Sequence, residues 1–211
     1  MRTTLRPVFV LAAVTAAAQT PAVQTVRGAP FTALVESQTS QTLADGNTIT
    51  RRSTAQLARD SEGRTRREQA SAVFITDPVA GFAFVLDTAK QIALRTPISI
   101  APNAPATLLP TATTDLGIRT LHETTAAGTR VVRAIPAGEQ GNDHPIDIAT
   151  EAWYSQELHT VVETTTTDPR IGFSTWKLTG IKRDEPPRSF FEVPAGYSVT
   201  DAAQKASPQR Q

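Results

Sequence analysis

Phe31-Thr32-Ala33-Leu34-Val35-Glu36-Ser37-Gln38, running on to Leu43 before Ala44-Asp45-Gly46-Asn47, decides how this chain is read. Phe31, Ala33 and Val35 fall at alternate positions, with Thr32, Glu36 and Gln38 mostly between them. A period of two puts the apolar set on one face of a pleated strand and the polar set on the other. Asp45-Gly46-Asn47 then supplies residues that tolerate a tight reversal, so the stretch predicts a long hairpin rather than a helix.

The same pattern continues outward. A polar strand over 48–59 leads to the turn Asp60-Ser61-Glu62-Gly63, and 64–77 returns as a third strand. After Asp77-Pro78-Val79-Ala80-Gly81 come Phe82, Phe84 and Leu86, alternating with Ala83 and Val85, and then 91–96. These segments predict a meander of four to five strands with short connections. Pro97, Pro102, Pro105 and Pro110 make 97–114 a long loop or a short proline-bounded helix, and the most mobile internal stretch. Beyond it the alternation predicts strands over 116–123, 129–135, 146–155, 157–166 and 173–182, with Gly128 in the first of the turns between them. A short turn or helix over 188–192 follows Pro186-Pro187. The chain has 32 threonines, which favours strands over helices.

One antiparallel sheet of nine to ten strands must curl to hide a face and protect its edges. The expected class is mainly β: a single curved antiparallel sheet, a half-barrel, with one or two short helices or the proline-rich loop over its concave face.

The N-terminus carries Arg2 and Arg6, an apolar run from Pro7 to Ala18, and small residues at Ala16 and Ala18 before Gln19. This is the order of a secretory signal peptide over 1–18, cleaved before Gln19. Its apolar run is shorter than the roughly 20 residues of a spanning helix, so no membrane anchor is expected in the mature chain. The expected organisation continues with a flexible spacer over 19–30, one β-rich domain over 31–200 and a disordered tail over 201–211. The expected location is the periplasm or the exterior.

Composition narrows the function classes. Hydrophobic residues make up 39% of the 211 positions and charged ones 19%, as in an ordinary globular domain. With 21 Lys and Arg against 20 Asp and Glu, no global field attracts nucleic acid. There is no cysteine, which excludes disulfides, thiolate metal sites, cysteine nucleophiles and a lipid on an N-terminal cysteine. His122, His144 and His159 show no metal-ligand spacing, and no nucleophile elbow or phosphate loop is present. No metal, no cofactor and no enzymatic activity are expected.

Leu43-Ala44-Asp45-Gly46-Asn47 through Arg64-Thr65-Arg66-Arg67-Glu68, the Asp77-Pro78 turn, the Trp153-Tyr154 to Leu158 corner and the closing Ser189-Phe190-Phe191-Glu192-Val193-Pro194-Ala195-Gly196-Tyr197 together resemble a family of uncharacterised secreted bacterial proteins. The order of elements and the closing F-x-V-P-x-G-Y pattern are also similar to the periplasmic lipoprotein-carrier (LolA-like) superfamily. That second resemblance implies a curved sheet holding lipid in its concave face.

Two sets of residues are candidate sites. Phe74, Phe84, Trp153 and Trp176 are expected to line an apolar ligand pocket, with core filling as the alternative. Arg51, Arg52, Arg66 and Arg67, together with Arg59 and Arg64, surround one turn and are expected to form a basic hairpin. Its guanidinium groups suit an anion or an acidic partner; otherwise it is a solvated edge hairpin balanced by Asp45, Asp60, Glu62 and Glu68. The sequence therefore predicts an exported, non-catalytic module binding a lipid or other apolar ligand, or alternatively a sensor domain docking on an envelope protein through its basic hairpin.

Overall fold

The computed structural model describes residues 22–100 and 112–202. The expected signal peptide, most of the proline-rich 97–114 segment and the end of the tail lie outside the described residues. The described residues form fourteen strands: β1 (Ala22–Val23), β2 (Phe31–Thr42), β3 (Thr48–Arg59), β4 (Thr65–Gln69), β5 (Ala72–Asp77), β6 (Phe82–Asp87), β7 (Ile92–Pro97), β8 (Ser99–Ile100), β9 (Ala112–Leu121), β10 (Thr124–Ile135), β11 (Ile146–Ser155), β12 (Thr160–Asp168), β13 (Gly172–Lys182) and β14 (Ser198–Asp201). Twelve of them make one open curved sheet in the order β14-β7-β6-β5-β4-β3-β2-β13-β12-β11-β10-β9. Two meanders, β2 to β7 and β9 to β13, are joined where β13 returns antiparallel beside β2. Only β14 runs parallel to its neighbour, β7, and β1 pairs with β8 as a separate parallel ribbon.

The alternation that opens the sequence is what buries the first core. Phe31, Ala33 and Val35 are buried, while Leu34 between them is 38% exposed. Val35 lies opposite Ala55 on β3 and Leu178 on β13, so these side chains share a face and cluster with Phe31, Ile181, Val162 and Leu158. A second cluster sits on the other face of β3 to β7. Ala58, Val73, Ile75, Leu86 and Ala93 meet Phe191 there, with Phe84, Val193 and Tyr197 packed around them. Its cover is the chain after Pro186-Pro187, which forms a 3-10 helix over Arg188–Phe191, as the sequence predicts. Burying each large side chain in such a cluster is worth about 1.5–3 kcal/mol.

Several boundaries differ from expectation, each for a local reason. The third strand is really two, because Ala70 takes φ 50° and reverses the chain between β4 and β5. The β9–β10 turn falls at His122-Glu123, with φ 51° and 66°, and not at Gly128, which lies inside β10. Left-handed φ at non-glycine residues carries no compositional flag. The β3–β4 hairpin is interior to the sheet, so it is not the edge hairpin expected. Part of the 22–30 segment makes defined contacts with the β3–β4 turn. Gly28 donates to Ser61 O at 2.9 Å, Ala29 is buried, and a Cβ at Gly63 would meet Thr25 Cγ2 at 2.5 Å and Val26 O at 2.9 Å. Asp201, expected in the tail, belongs to β14.

Candidate functional site

The polar face of β2 forms the floor of a trough. Register sets Thr32, Leu34, Glu36 and Gln38 against Ala58, Gln56, Thr54 and Arg52 of β3. On the other side they meet Lys182, Thr179, Lys177 and Thr175 of β13. Near the 3-10 helix this trough opens into a cavity of about 310 Å³ lined by Thr32, Leu34, Ala58, Arg66, Lys182 and Phe190. Phe190 and Phe191 are sequence neighbours with different environments: Phe191 is buried in the second core, whereas Phe190 is 44% exposed at the cavity. Arg66 links the wall to the floor, donating from Nη1 to Phe190 O at 3.2 Å and from Nη2 to Glu68 Oε2 at 2.8 Å. A bulge between Thr179 and Lys182 interrupts the β13 wall, and Gly180 there takes φ +58° with open space where a Cβ would stand.

Further along the trough the lining becomes polar. A cavity of about 420 Å³ is bounded by Glu36, Gln38, Arg52, Thr54, Thr175 and Lys177, with Phe173 and Glu163 at its margins. Lys177 Nζ stands 3.2 Å from Glu36 Oε2, and Thr179 Oγ1 donates to Glu36 Oε1 at 3.1 Å. The hydrogen bond from Lys177, reinforced by Thr179, holds the Glu36 carboxyl below its ordinary value of 4.5. Arg52 Nε donates to Gln38 Oε1 at 2.9 Å, and His122 Nε2 lies 2.7 Å from Glu163 Oε2.

The four expected ligand aromatics do not converge. Phe74 pairs with Arg67 and Val85, and Phe84 with Ile75 and Arg95, so the two rings occupy opposite faces. Phe74 is 45% exposed; Phe84 lines a separate cavity of about 430 Å³ with Arg95, Phe191, Val193 and Val199. Trp153 is buried, with the Arg119 guanidinium 4.7 Å above its ring. Trp176 packs against the first core.

The arginines are also separated by register. Arg66 and Arg67 oppose Ala58 and Leu57, whereas Arg51 and Arg52 oppose Thr39 and Gln38, beyond the end of β4. Arg52 and Arg66 share the trough face; Arg51 and Arg67 lie on the other. Arg59 and Arg64, expected in the same cluster, are buried. Arg59 donates to the carbonyls of Ala29 and Leu158 and stacks on Phe31, and Arg64 pairs with Asp60 at 2.6 Å and with Glu62. Leu34 and Lys182 were absent from the sequence-based sites. The available signal was Leu34 itself, the apolar residue set among Thr32, Glu36 and Gln38 on the polar face.

Every carboxylate among the described residues with a displaced pKa is displaced downward: Glu36, Asp87, Glu157, Asp168 and Asp201. Hydrogen bonds from Lys or Arg head the causes in each case, an arrangement suited to ion pairing and not to proton donation. Among the described residues no three metal-ligating side chains converge, and no helix is long and apolar enough to cross a membrane.

No family model matches the chain, and no curated protein matches it in sequence. Solved structures are similar to it. An uncharacterised conserved protein from Thermus thermophilus superposes with a TM-score of 0.51 at 11% identity, covering 82% of this chain and 90% of that one. The MucA/MucB complex of Pseudomonas aeruginosa gives 0.44 at 11% identity, over 80% of this chain and 58% of that one. A LolA superfamily protein from Nitrosomonas europaea gives 0.24 at 9% identity, over 78% and 90%.

Proposed function

We propose that this protein is an exported, non-catalytic module that binds a lipid or other apolar ligand in the trough beside the 3-10 helix. The supporting observation is the cavity between β2, β3 and the 188–197 cover, where Leu34 and Phe190 are left exposed beside buried neighbours. Its volume of about 310 Å³ lies at the small end of the ligand-pocket range of roughly 300–1,000 Å³, which fits one short chain better than a multi-chain lipid. Each methylene moved from water into such a site contributes about 0.8 kcal/mol, so affinity should rise steadily with chain length. Export rests on the charge, apolar-run and small-residue order of 1–18; N-terminal sequencing of the mature protein should begin at Gln19.

The test is titration of the full exported chain with saturated fatty acids of increasing length. Affinity should rise with each added carbon until the cavity is filled, and Leu34→Arg should abolish binding without changing the melting temperature. Length-independent affinity, or binding that survives Leu34→Arg, would contradict the reading. Docking on an envelope protein through Arg51, Arg52, Arg66 and Arg67 is the second reading. It is less well supported, since register divides these four between two faces.

A further inference from the structure

Resting on the apolar site proposed above, we infer that the polar section of the same trough recognises a neutral, polyhydroxylated headgroup, so that the preferred ligand is an alkyl chain carrying a sugar. The two sections are consecutive on one face. Leu34 lines the apolar cavity and Glu36 and Gln38 the polar one, and four residues of strand separate Leu34 from Gln38 by about 13 Å. A chain lying against Leu34 and Phe190 therefore delivers its head to Gln38, Arg52, Thr54 and Thr175.

Charge selects the class of head. Glu36 and Glu163 carry two negative charges into the groove, and Arg52 and Lys177 carry two positive ones. Lys177 is engaged by Glu36, Glu163 by His122, and Arg52 by Gln38. An anionic head would find Arg52, whose partner Gln38 is neutral, but only beside the Glu36 and Glu163 carboxylates, and a cationic head would have to compete with Lys177 for Glu36. A neutral polyol meets no such penalty. It finds the remaining donors and acceptors of Gln38, Arg52, Thr54 and Thr175, each with hydrogen-bonding capacity beyond its present contacts. Phe173, 38% exposed at the far margin, offers an apolar surface for the C–H face of a sugar ring. Hydrolysis of that sugar is not part of the assignment: Glu36 is held ionised by Lys177, and a general acid needs the opposite shift.

Calorimetric titration of the full exported chain with three ten-carbon probes, each below its micellar concentration, tests the inference. The probes are decyl maltoside, decyl sulfate and decyltrimethylammonium. Decyl maltoside should bind at least about tenfold more tightly than either charged probe. The double variant Gln38→Ala, Thr175→Val should lose about tenfold for the maltoside, the effect of removing two modest hydrogen bonds, while decyl sulfate stays within about twofold. Equal affinities for the three heads, a preference for the sulfate, or a maltoside affinity untouched by the double variant would overturn the sugar assignment while leaving the apolar site standing. Failure of all three probes to bind would overturn the apolar site and this inference together. Unchanged circular dichroism and melting temperature verify that the double variant folds.

Discussion

Trp153 lies flat across Gly128: the two are register partners on β11 and β10, and a Cβ at position 128 would stand 2.5 Å from Trp153 Cζ3. The Arg119 guanidinium stands 4.7 Å from the ring centroid and the indole is itself buried, so the ring could admit a methyl group only by shifting within a packed core. Gly128→Ala should therefore destabilise the protein by about 1–3 kcal/mol through overpacking. Gly46→Ala is the control: its Cβ meets nothing within 4 Å, and only its φ of +83° opposes the change, at about 1 kcal/mol. Urea denaturation of both variants checks the order. A Gly128→Ala protein as stable as wild type would mean that the indole does not occupy this position.

Arg59 is a buried cation held by carbonyls rather than by a carboxylate. Its Nε and Nη2 donate to Ala29 O at 3.0 and 2.7 Å, Nη2 also reaches Leu158 O, and its guanidinium stacks 4.8 Å from the Phe31 centroid. Burial pulls its pKa below the ordinary arginine value. Arg59→Met keeps an unbranched apolar stem but strands two buried carbonyls, and should cost about 2–4 kcal/mol. Thermal unfolding reads the loss, and proteolysis near Ala29 should accelerate because the 22–30 segment loses its main tie.

The C-terminal strand should carry its own acid sensitivity. Asp201 accepts from Arg95 Nε at 2.6 Å and Nη2 at 3.0 Å, and this hydrogen bonding holds its carboxyl below the ordinary 3.8. The folded state thus favours the ionised form. The contribution is complete above 3.8 and is lost as pH falls through the lowered folded value. Amide shifts of Ser198–Asp201 should move before those of Val73 and Ile75 as acid is added, and Asp201→Asn should remove that early step. Simultaneous loss of β14 and the core would show that the Arg95 pair does not hold the strand.

The arginines should separate by face and contact. Arg66→Gln removes the donor to Phe190 O and should loosen the 188–191 turn, raising amide exchange at Phe190 and weakening binding of an apolar probe. Arg51→Gln changes an exposed side chain on the opposite face and should stay within about 0.5 kcal/mol of wild type with binding unaltered. Equal effects of the two substitutions on the probe would mean that the trough face is not the binding face.

The fold was readable where side-chain period alone decides it. Phe31, Ala33 and Val35 announce a buried face, Asp-Gly and Asp-Pro mark their turns, and Pro186-Pro187 announces the 3-10 helix. Reading failed where tertiary contact overrides composition. Gly128 is in a strand because an indole covers it, and His122-Glu123 and Ala70 turn the chain without any turn-forming residue. The Gln19 to Pro30 composition looks unstructured, yet Gly63 and Arg59 supply partners for its second half that only the folded chain brings near. The site was missed for a related reason. Large aromatics draw attention in a sequence, but Trp153 and Trp176 serve the core, and the exposed apolar floor is a leucine at an out-of-phase position.

Native mass spectrometry of the mature protein, purified under mild conditions from its own envelope, decides whether the trough beside Leu34 holds a ligand. The expected spectrum shows a wild-type population carrying the added mass of an amphiphile that collisional activation removes, and a bare Leu34→Arg variant with the wild-type melting temperature. A wild-type protein that is bare under every mild condition, or a Leu34→Arg variant that retains the same added mass, would contradict ligand binding in the trough.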